Sequence, residues 1–386
     1  MKNRRILSKI DKPLMFMCIL FSLIGILFVL SASSVTAVLE YDVSPYYYFF
    51  RQILFVLVSY LIGFFIILKV PTSQYKKFIF FINFVLIITL GLLLVYGELV
   101  NSVRSWIPIG PFSFQPSEFA KLSLIIYLGV FYGNQFKKNN VKFGFLIPIM
   151  FAFIIFVLVA MQPDLGTAAI IAGITFFIFL SVPMEKNKYA QNLKYISILI
   201  IAVALTLILT GKAPLTKEQL SRLEYSDPCT RYTEKTGYQV CNGFIAISGG
   251  GLFGKGLGKS TQKYLYLPAA HTDMIFPILV EEAGLIFGIL VLLGYLFIIY
   301  RLIKISKSCY KLRNSIICFG VMIYILMHLI LNLCGILALI PLTGVPMPFL
   351  SYGGSFTMNL IFAMFVVQRI VIENKITKNK MEIKSI

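Results

Sequence analysis

A carboxylate where a polar segment gives way to an apolar span is the first feature of this sequence that could do chemistry. Asp273 holds that place in His271-Thr272-Asp273-Met274-Ile275-Phe276-Pro277, ahead of an apolar run that also carries Glu281 and Glu282. An acid at the lip of a membrane helix is unfavourable unless it is paired, hydrated or used; insertion scales place Asp about 2.5–3.5 kcal/mol uphill at mid-helix, less near the interface. Two readings stand. Thr272 or Asp273 caps the helix and meets the positive end of its dipole, or Asp273 is a base. Glu281 and Glu282 lie two turns or more deeper, where at least one must face the bundle, and both read as structural.

Other segments bring similar groups to the same level. Apolar spans begin after Gln115-Pro116-Ser117-Glu118, after Gln162-Pro163-Asp164, after His271-Thr272-Asp273 and after Pro346-Met347-Pro348-Phe349-Leu350-Ser351-Tyr352-Gly353-Gly354-Ser355. Each start directs free backbone N–H groups and a positive dipole end to that level, which suits a phosphate. Glu118 and Lys121 are three apart and can pair; with Pro116 at N1, Glu118 can also bond back to the cap. Lys121 lies about 7–8 Å along its helix from Pro116, on an otherwise apolar helix. It needs a carboxylate or an anionic ligand, and Glu118, Asp164 and Asp273 are the acids within reach. Trp106 is either an interfacial belt residue or a platform for a sugar, with Arg104 on a phosphate. The run Gly249–Ser260 is not a P-loop, since the first glycine of that pattern would fall on Phe253. Its Lys255 and Lys259, with Lys263, either meet water or grip an anionic lipid head.

The elements that must position these groups are membrane helices. The chain of 386 residues is 58% hydrophobic and 13% charged, about half the charged fraction of a soluble protein. The net charge of +19 does not imply nucleic acid, because the short segments 1–12, 69–77, 134–142, 183–194, 301–313 and 369–386 each hold three to five Lys or Arg. That is the positive-inside pattern. Apolar spans at 13–35, 52–70, 78–97, 116–133, 143–160, 165–182, 195–210, 273–300, 314–339 and 356–372 predict an all-α polytopic protein of ten transmembrane helices. Both termini (1–12 and 373–386) are expected in the cytoplasm, and a long extracytoplasmic loop, 211–272, between helices seven and eight. The first span is too long for a signal-peptide core and reads as an uncleaved helix. No separate soluble domain is expected; the loop is too long for a plain connector and reads as functional. Cys229 and Cys241 within it form a disulfide if the loop faces outside, or stand as two thiols. With two histidines and no Cys/His ligand spacing, a histidine-based metal site is not expected.

In this order, the motifs resemble the SEDS family (shape, elongation, division and sporulation) of bacterial wall polymerases. They are Gln115-Pro116-Ser117-Glu118-Phe119-Ala120-Lys121-Leu122, Gln162-Pro163-Asp164-Leu165-Gly166-Thr167-Ala168, Gly254-Lys255-Gly256-Leu257-Gly258-Lys259-Ser260, His271-Thr272-Asp273, Glu281-Glu282 and Pro346–Ser355. The resemblance covers almost the whole chain, and Gly258–Tyr264 is more similar to the division branch than to the elongation branch. It implies a peptidoglycan glycosyltransferase that polymerises lipid II at the outer face of the bacterial cytoplasmic membrane, at the division septum. A class B penicillin-binding protein transpeptidase and other divisome proteins are the implied partners. The family's catalytic Asp falls on Asp273, and its important Trp, Glu, Lys and Asp on Trp106, Glu118, Lys121 and Asp164. Ala269 stands where the family commonly has Glu, so any role of that Glu is lost here or moved.

On this reading Asp273 is the general base. Lys121 and Arg104 stabilise the leaving diphosphate, while Asp164 and Glu118 hold Lys121. His271, Thr272, Ser351, Lys259 and Trp106 are expected to line the substrate site. A divalent cation (Mg²⁺ or Mn²⁺) is compatible with carboxylates and a diphosphate, though nothing in the sequence demands one. A lipid II flippase, an elongation-type polymerase and a non-catalytic scaffold are the competing readings.

Overall fold

The computed structural model describes residues 8–100, 103–110, 112–135, 144–184, 187–209, 227–233 and 235–384. Apolar composition makes these segments helical, since backbone groups in a bilayer must be satisfied within the segment. In chain order they are α1 (Lys12–Leu39), α2 (Tyr47–Ile62, continued by a π-turn, Gly63–Ile67), α3 (Tyr75–Tyr96), α4 (Pro116–Gln135), α5 (Leu146–Ala160) and α6 (Leu165–Ser181). There follow α7 (Lys188–Leu209), α8 (Lys235–Gly250), α9 (Ile275–Lys307), α10 (Leu312–Ile336) and α11 (Gly354–Lys384). Among the described residues six helices are long and apolar enough to cross a membrane, α1, α2, α3, α9, α10 and α11, and α5 and α6 are shorter apolar ones. This is a multi-pass membrane protein. α10 lies at the centre, packed against α4, α6, α8, α9 and α11.

One region departs from the expected all-α pattern, and the loop expected to be more than a connector shows its own structure. Between α3 and α4 a small antiparallel meander forms: β1 (Glu98–Val100), β2 (Val103–Ile109) and β3 (Phe112–Phe114), with Glu98 opposite Trp106 and Ile107 opposite Phe114. Within 211–272, residues 211–226 and 234 lie outside the described residues, but the described part is not a solvated connector. Helix α8 runs alongside α9 in the same direction. A Cβ on Gly243 would lie 3.6 Å from Pro277, and one on Gly250 would fall 2.2 Å from the Val280 carbonyl oxygen. The chain then doubles back through 251–274 to reach Asp273. Cys229 and Cys241 are joined as a disulfide that ties the segment before α8 to its second turn.

The return loop closes a break in α9. Gly284 has φ 88° and ψ 164°, outside helical geometry, which releases backbone groups on either side. The N–H groups of Lys255 and Gly256 donate to the carbonyls of Glu281 and Glu282 at 2.9 Å each, and the N–H of Leu285 donates to Gly251 O at 2.9 Å. Inside an apolar bundle these bonds are obligatory. A Cβ on Gly284 would lie 2.3 Å from Leu252 O, in a backbone region essentially reserved for glycine and unfavourable by about 1–3 kcal/mol for other residues. Gly284→Ala is therefore expected to lower thermal stability by about 3 kcal/mol, strain and displaced loop together. A melting curve in detergent or nanodiscs at the wild-type value would contradict this packing.

Side chains lock the same junction. Glu281 accepts from Lys255 Nζ (2.7 Å), from Thr261 Oγ1 (2.7 Å), from the Thr261 N–H (3.1 Å) and from the Ser260 hydroxyl. Glu282 accepts from Ser31 Oγ of α1 (2.6 Å) and Lys263 Nζ (3.2 Å). Both glutamates are buried, as structural anchors should be. Lys255 and Lys263 are thereby engaged with them, which removes the reading of those lysines as a free grip on a lipid head.

Candidate active site

Four helix starts converge at one end of the bundle, and the residues between them were legible as chemistry. The chain enters α4 from β3, and the first turn is tied to α11: the Gln115 N–H donates to Ser355 Oγ at 3.0 Å. Glu118 and Lys121 then face inward, 3% and 0% exposed. The Glu118 carboxylate accepts from Lys121 Nζ at 2.7 Å rather than bonding back to the helix cap. With both charges out of water, removing either strands the other.

His328, on α10, completes the lysine's surroundings. Its Nε2 lies 3.1 Å from Lys121 Nζ and its Nδ1 lies 3.1 Å from Pro346 O. The rings of Tyr324 and Phe356 lie 5.5 and 5.8 Å from the ammonium, within cation–π range. Sequence reasoning used His328 only to argue against a metal site. A polar residue in mid-span was the available signal, but its partners come from two other segments.

Asp164 does not hold Lys121. Its Oδ1 caps α6 by accepting from the Thr167 N–H (3.0 Å), and its Oδ2 accepts from Gln115 Nε2 (3.3 Å). It joins the starts of α4 and α6, and short Asp side chains favour such local backbone bonds.

Asp273 is not a helix cap either. The N-cap of α9 is Met274, without a side-chain hydrogen bond. A tight turn starting at Ala269, which has φ 54°, brings the N–H groups of Thr272 and Met274 to Ala269 O at 3.0 and 3.3 Å. The turn leaves Asp273 just ahead of the helix, 7% exposed. Its carboxylate accepts from Thr272 Oγ1 at 3.2 Å, and its Oδ2 looks toward Gly344. Burial raises its pKa to about 6, partly opposed by hydrogen bonds from Thr272 and the adjacent backbone. The Asp273 carbonyl accepts from Asn332 Nδ2 on α10 at 2.7 Å.

The other expected substrate-lining residues divide. His271 is buried, which pushes its imidazole down to about 4. Its ring stands 4.7 Å from that of Tyr48, and the Tyr352 N–H donates to its carbonyl at 2.9 Å. Thr272 is half-buried beside Asp273. Ser351 is fully buried and its hydroxyl accepts from the Met347 N–H at 2.8 Å, so it shapes the turn before α11 and faces no open site. Lys259 is exposed on the return loop, next to Gly256 at the level of Glu282. That is about 10 Å along α9 from Ile275, away from Asp273. Trp106 is half-buried on β2. The Arg104 backbone belongs to the same strand, but its side chain lies outside the described residues. Sequence reading also missed the start of α2, where Tyr48 meets His271 and Tyr352 and Gln52 Nε2 donates to Ser351 O at 3.3 Å.

Among the described residues no group of three or more His, Cys, Asp and Glu is placed to hold a metal ion. Asp273 is the carboxylate at the mouth that could meet a cation carried in by a phosphorylated ligand.

Known proteins share this architecture. A family model described as "Cell cycle protein", covering FtsW, RodA and SpoVE, matches residues 12–376. The chain is 35% identical over 381 residues to a "Probable peptidoglycan glycosyltransferase FtsW" of Bacillus subtilis (strain 168), spanning 98% of this chain and 94% of the relative. It is 33% identical over 362 residues to "Stage V sporulation protein E" of the same organism, spanning 92% and 95%. A crystal structure of Thermus thermophilus rod shape determining protein RodA superposes with TM-score 0.66 at 22% identity, over 95% of this chain and 97% of that one. A chain from a solved structure described as "Structural coordination of polymerization and crosslinking by a peptidoglycan synthase complex" superposes with TM-score 0.72 at 20% identity, over 95% and 98%. The chain belongs to the FtsW/RodA/SpoVE family of cell cycle proteins.

Proposed function

We propose that this protein is a peptidoglycan glycosyltransferase of the FtsW type, which polymerises lipid II into glycan strands. The observation that carries the reading is Asp273, a buried carboxylate at the convergence of four helix starts, in a family whose relatives bear that activity in their names. Asp273 takes the proton from the acceptor hydroxyl of one lipid-linked disaccharide. That oxygen forms a bond to the anomeric carbon of the growing strand. The carbon–oxygen bond to the diphosphate breaks, and undecaprenyl diphosphate leaves with the electron pair. Lys121, held by Glu118, and the converging helix starts supply positive potential for the leaving diphosphate. Arg104 and Trp106 sit on the meander beside the mouth as contacts for phosphate and sugar, with His271 and Thr272 bordering the base. Were a divalent cation, Mg²⁺ or Mn²⁺, bound with the diphosphate, Asp273 is the residue that would help hold it, and the ion would supply positive charge for the leaving group.

The Lys/Arg pattern supports ten spans forming a single transmembrane domain, with both termini in the cytoplasm and the site facing outward. The FtsW-type relatives favour the division septum over elongation. The likeness to a chain of a peptidoglycan synthase complex that couples polymerisation with crosslinking supports a class B penicillin-binding protein as partner. Lipid II transport is the competing use of a polar interior. The groups with reach to a substrate collect at one end of the bundle rather than along a path through it, which favours chemistry.

The test is glycan-strand formation from purified lipid II as a function of pH. The base must be ionised, so kcat is expected to fall tenfold per pH unit below about 6, following the raised pKa of Asp273. A rate that stays flat down to about pH 4.5 would remove Asp273 as the base.

A further inference from the structure

We infer that His328 and Asn332, one turn apart on α10, are positioning residues that set Lys121 and Asp273 relative to one another. This rests on the glycosyltransferase reading for its catalytic consequence. Both side chains are buried, at 1% and 3% exposure. They share a helix face, being four residues apart, and together they touch the three irregular pieces of the site. Asn332 Nδ2 donates to Asp273 O at 2.7 Å and to Val345 O at 2.8 Å. His328 contacts Lys121 Nζ and Pro346 O, each at 3.1 Å. Val345 and Pro346 are consecutive, so the strap before α11 is gripped at both residues, once beside each catalytic candidate.

The chemistry of the contacts fixes their sense. The Lys121 ammonium can only donate, so His328 Nε2 accepts and the ring proton sits on Nδ1, donating to Pro346 O. Asn332 uses one amide nitrogen for two carbonyls. Neither bond needs a charge on α10, so the helix adds no potential of its own at the mouth. What it supplies is distance: α10 is packed against α4, α9 and α11, the helices that carry or flank Lys121, Asp273 and the strap. An error of about 1 Å in such placement costs on the order of a hundredfold in rate.

Four variants in nanodiscs test this, with wild type as control and a class B penicillin-binding protein whose own active site is blocked present throughout. Asn332→Leu and His328→Leu keep bulk but lose the bonds; each is expected to lower kcat for lipid II polymerisation by roughly ten- to a hundredfold per folded molecule, with KM within about threefold. His328→Gln offers a carbonyl for Lys121 and an amide for Pro346 O and is expected to recover most of the rate. Asn332→Asp, which has no N–H to donate, is not. A second reading needs no turnover. A water-soluble carbodiimide should modify Asp273 about tenfold faster in Asn332→Leu than in wild type, by peptide mass spectrometry, because the freed turn admits solvent. Unchanged labelling together with wild-type kcat in the leucine variants overturns the inference. If wild type itself makes no polymer, the enzyme reading fails, and the labelling alone decides whether α10 positions the acid.

Discussion

Asp273→Asn is expected to reduce lipid II polymerisation by about a thousandfold or more while leaving the protein folded. General-base catalysis contributes about 10²–10⁴, and an amide of the same shape cannot take a proton at neutral pH. The same substitution should not destabilise. Burial raises the Asp273 carboxyl in the folded state to about 6 from an ordinary 3.8, so between those values the folded protein holds the proton that the unfolded chain releases. Stability from this group therefore falls as pH rises from about 4 to about 6 and stays at its lower level above. Asn carries no charge to bury. The melting temperature of Asp273→Asn at about pH 7.5 is thus expected at or a few degrees above wild type, and the difference should vanish toward about pH 4. A variant that loses activity and also melts well below wild type would mean that Asp273 holds the fold rather than performing the reaction.

Lys121→Met should do the opposite to stability. The lysine is fully buried, and its ammonium is bonded to Glu118 and His328. Methionine fills the stem but leaves the Glu118 carboxylate without its cation in an apolar site. Breaking one half of a buried pair typically costs about 3–5 kcal/mol. Adding Glu118→Gln removes the stranded charge, so the double variant is expected to melt higher than Lys121→Met alone. Polymerisation should stay low in both, because neither restores a positive charge for the leaving diphosphate. The comparison separates structural from catalytic use of one residue. Recovery of activity along with stability in the double variant would assign Lys121 to the fold only.

The sequence made the helices and the position of the site readable for one physical reason. Ionisable groups are rare in apolar spans, so Glu118, Lys121 and Asp273 stood out by the penalty they would incur in lipid. The parts it hid are those where a short polar side chain chooses between a ligand and the nearby backbone. Asp164 and Ser351 had the right types and places for a site, but one caps α6 and the other closes the turn at Met347. No periodicity reveals that choice, because the competing acceptors lie within a few residues of each other. Helix α8 and the return loop were hidden for another reason. Lys235–Gly250 is polar and glycine-bearing, and it becomes stable only beside α9, whose break at Gly284 receives the loop's backbone N–H groups. Hydropathy reports burial in lipid; it says nothing of a polar segment whose bonds are met by another helix. His328 and Asn332 were invisible as a pair because their meaning lies in Lys121, Asp273 and the Val345–Pro346 strap, far apart in the chain.

Whether this family member forms glycosidic bonds or moves lipid is decided in one vessel. Purified wild-type protein is placed in sealed liposomes with labelled lipid II, together with a class B penicillin-binding protein whose own active site is blocked. Polymer and movement of label between leaflets are scored in the same reaction. Glycan strands and released undecaprenyl diphosphate are expected, with no more leaflet exchange than in protein-free liposomes. Leaflet exchange without polymer would contradict the glycosyltransferase and make the bundle a lipid transporter.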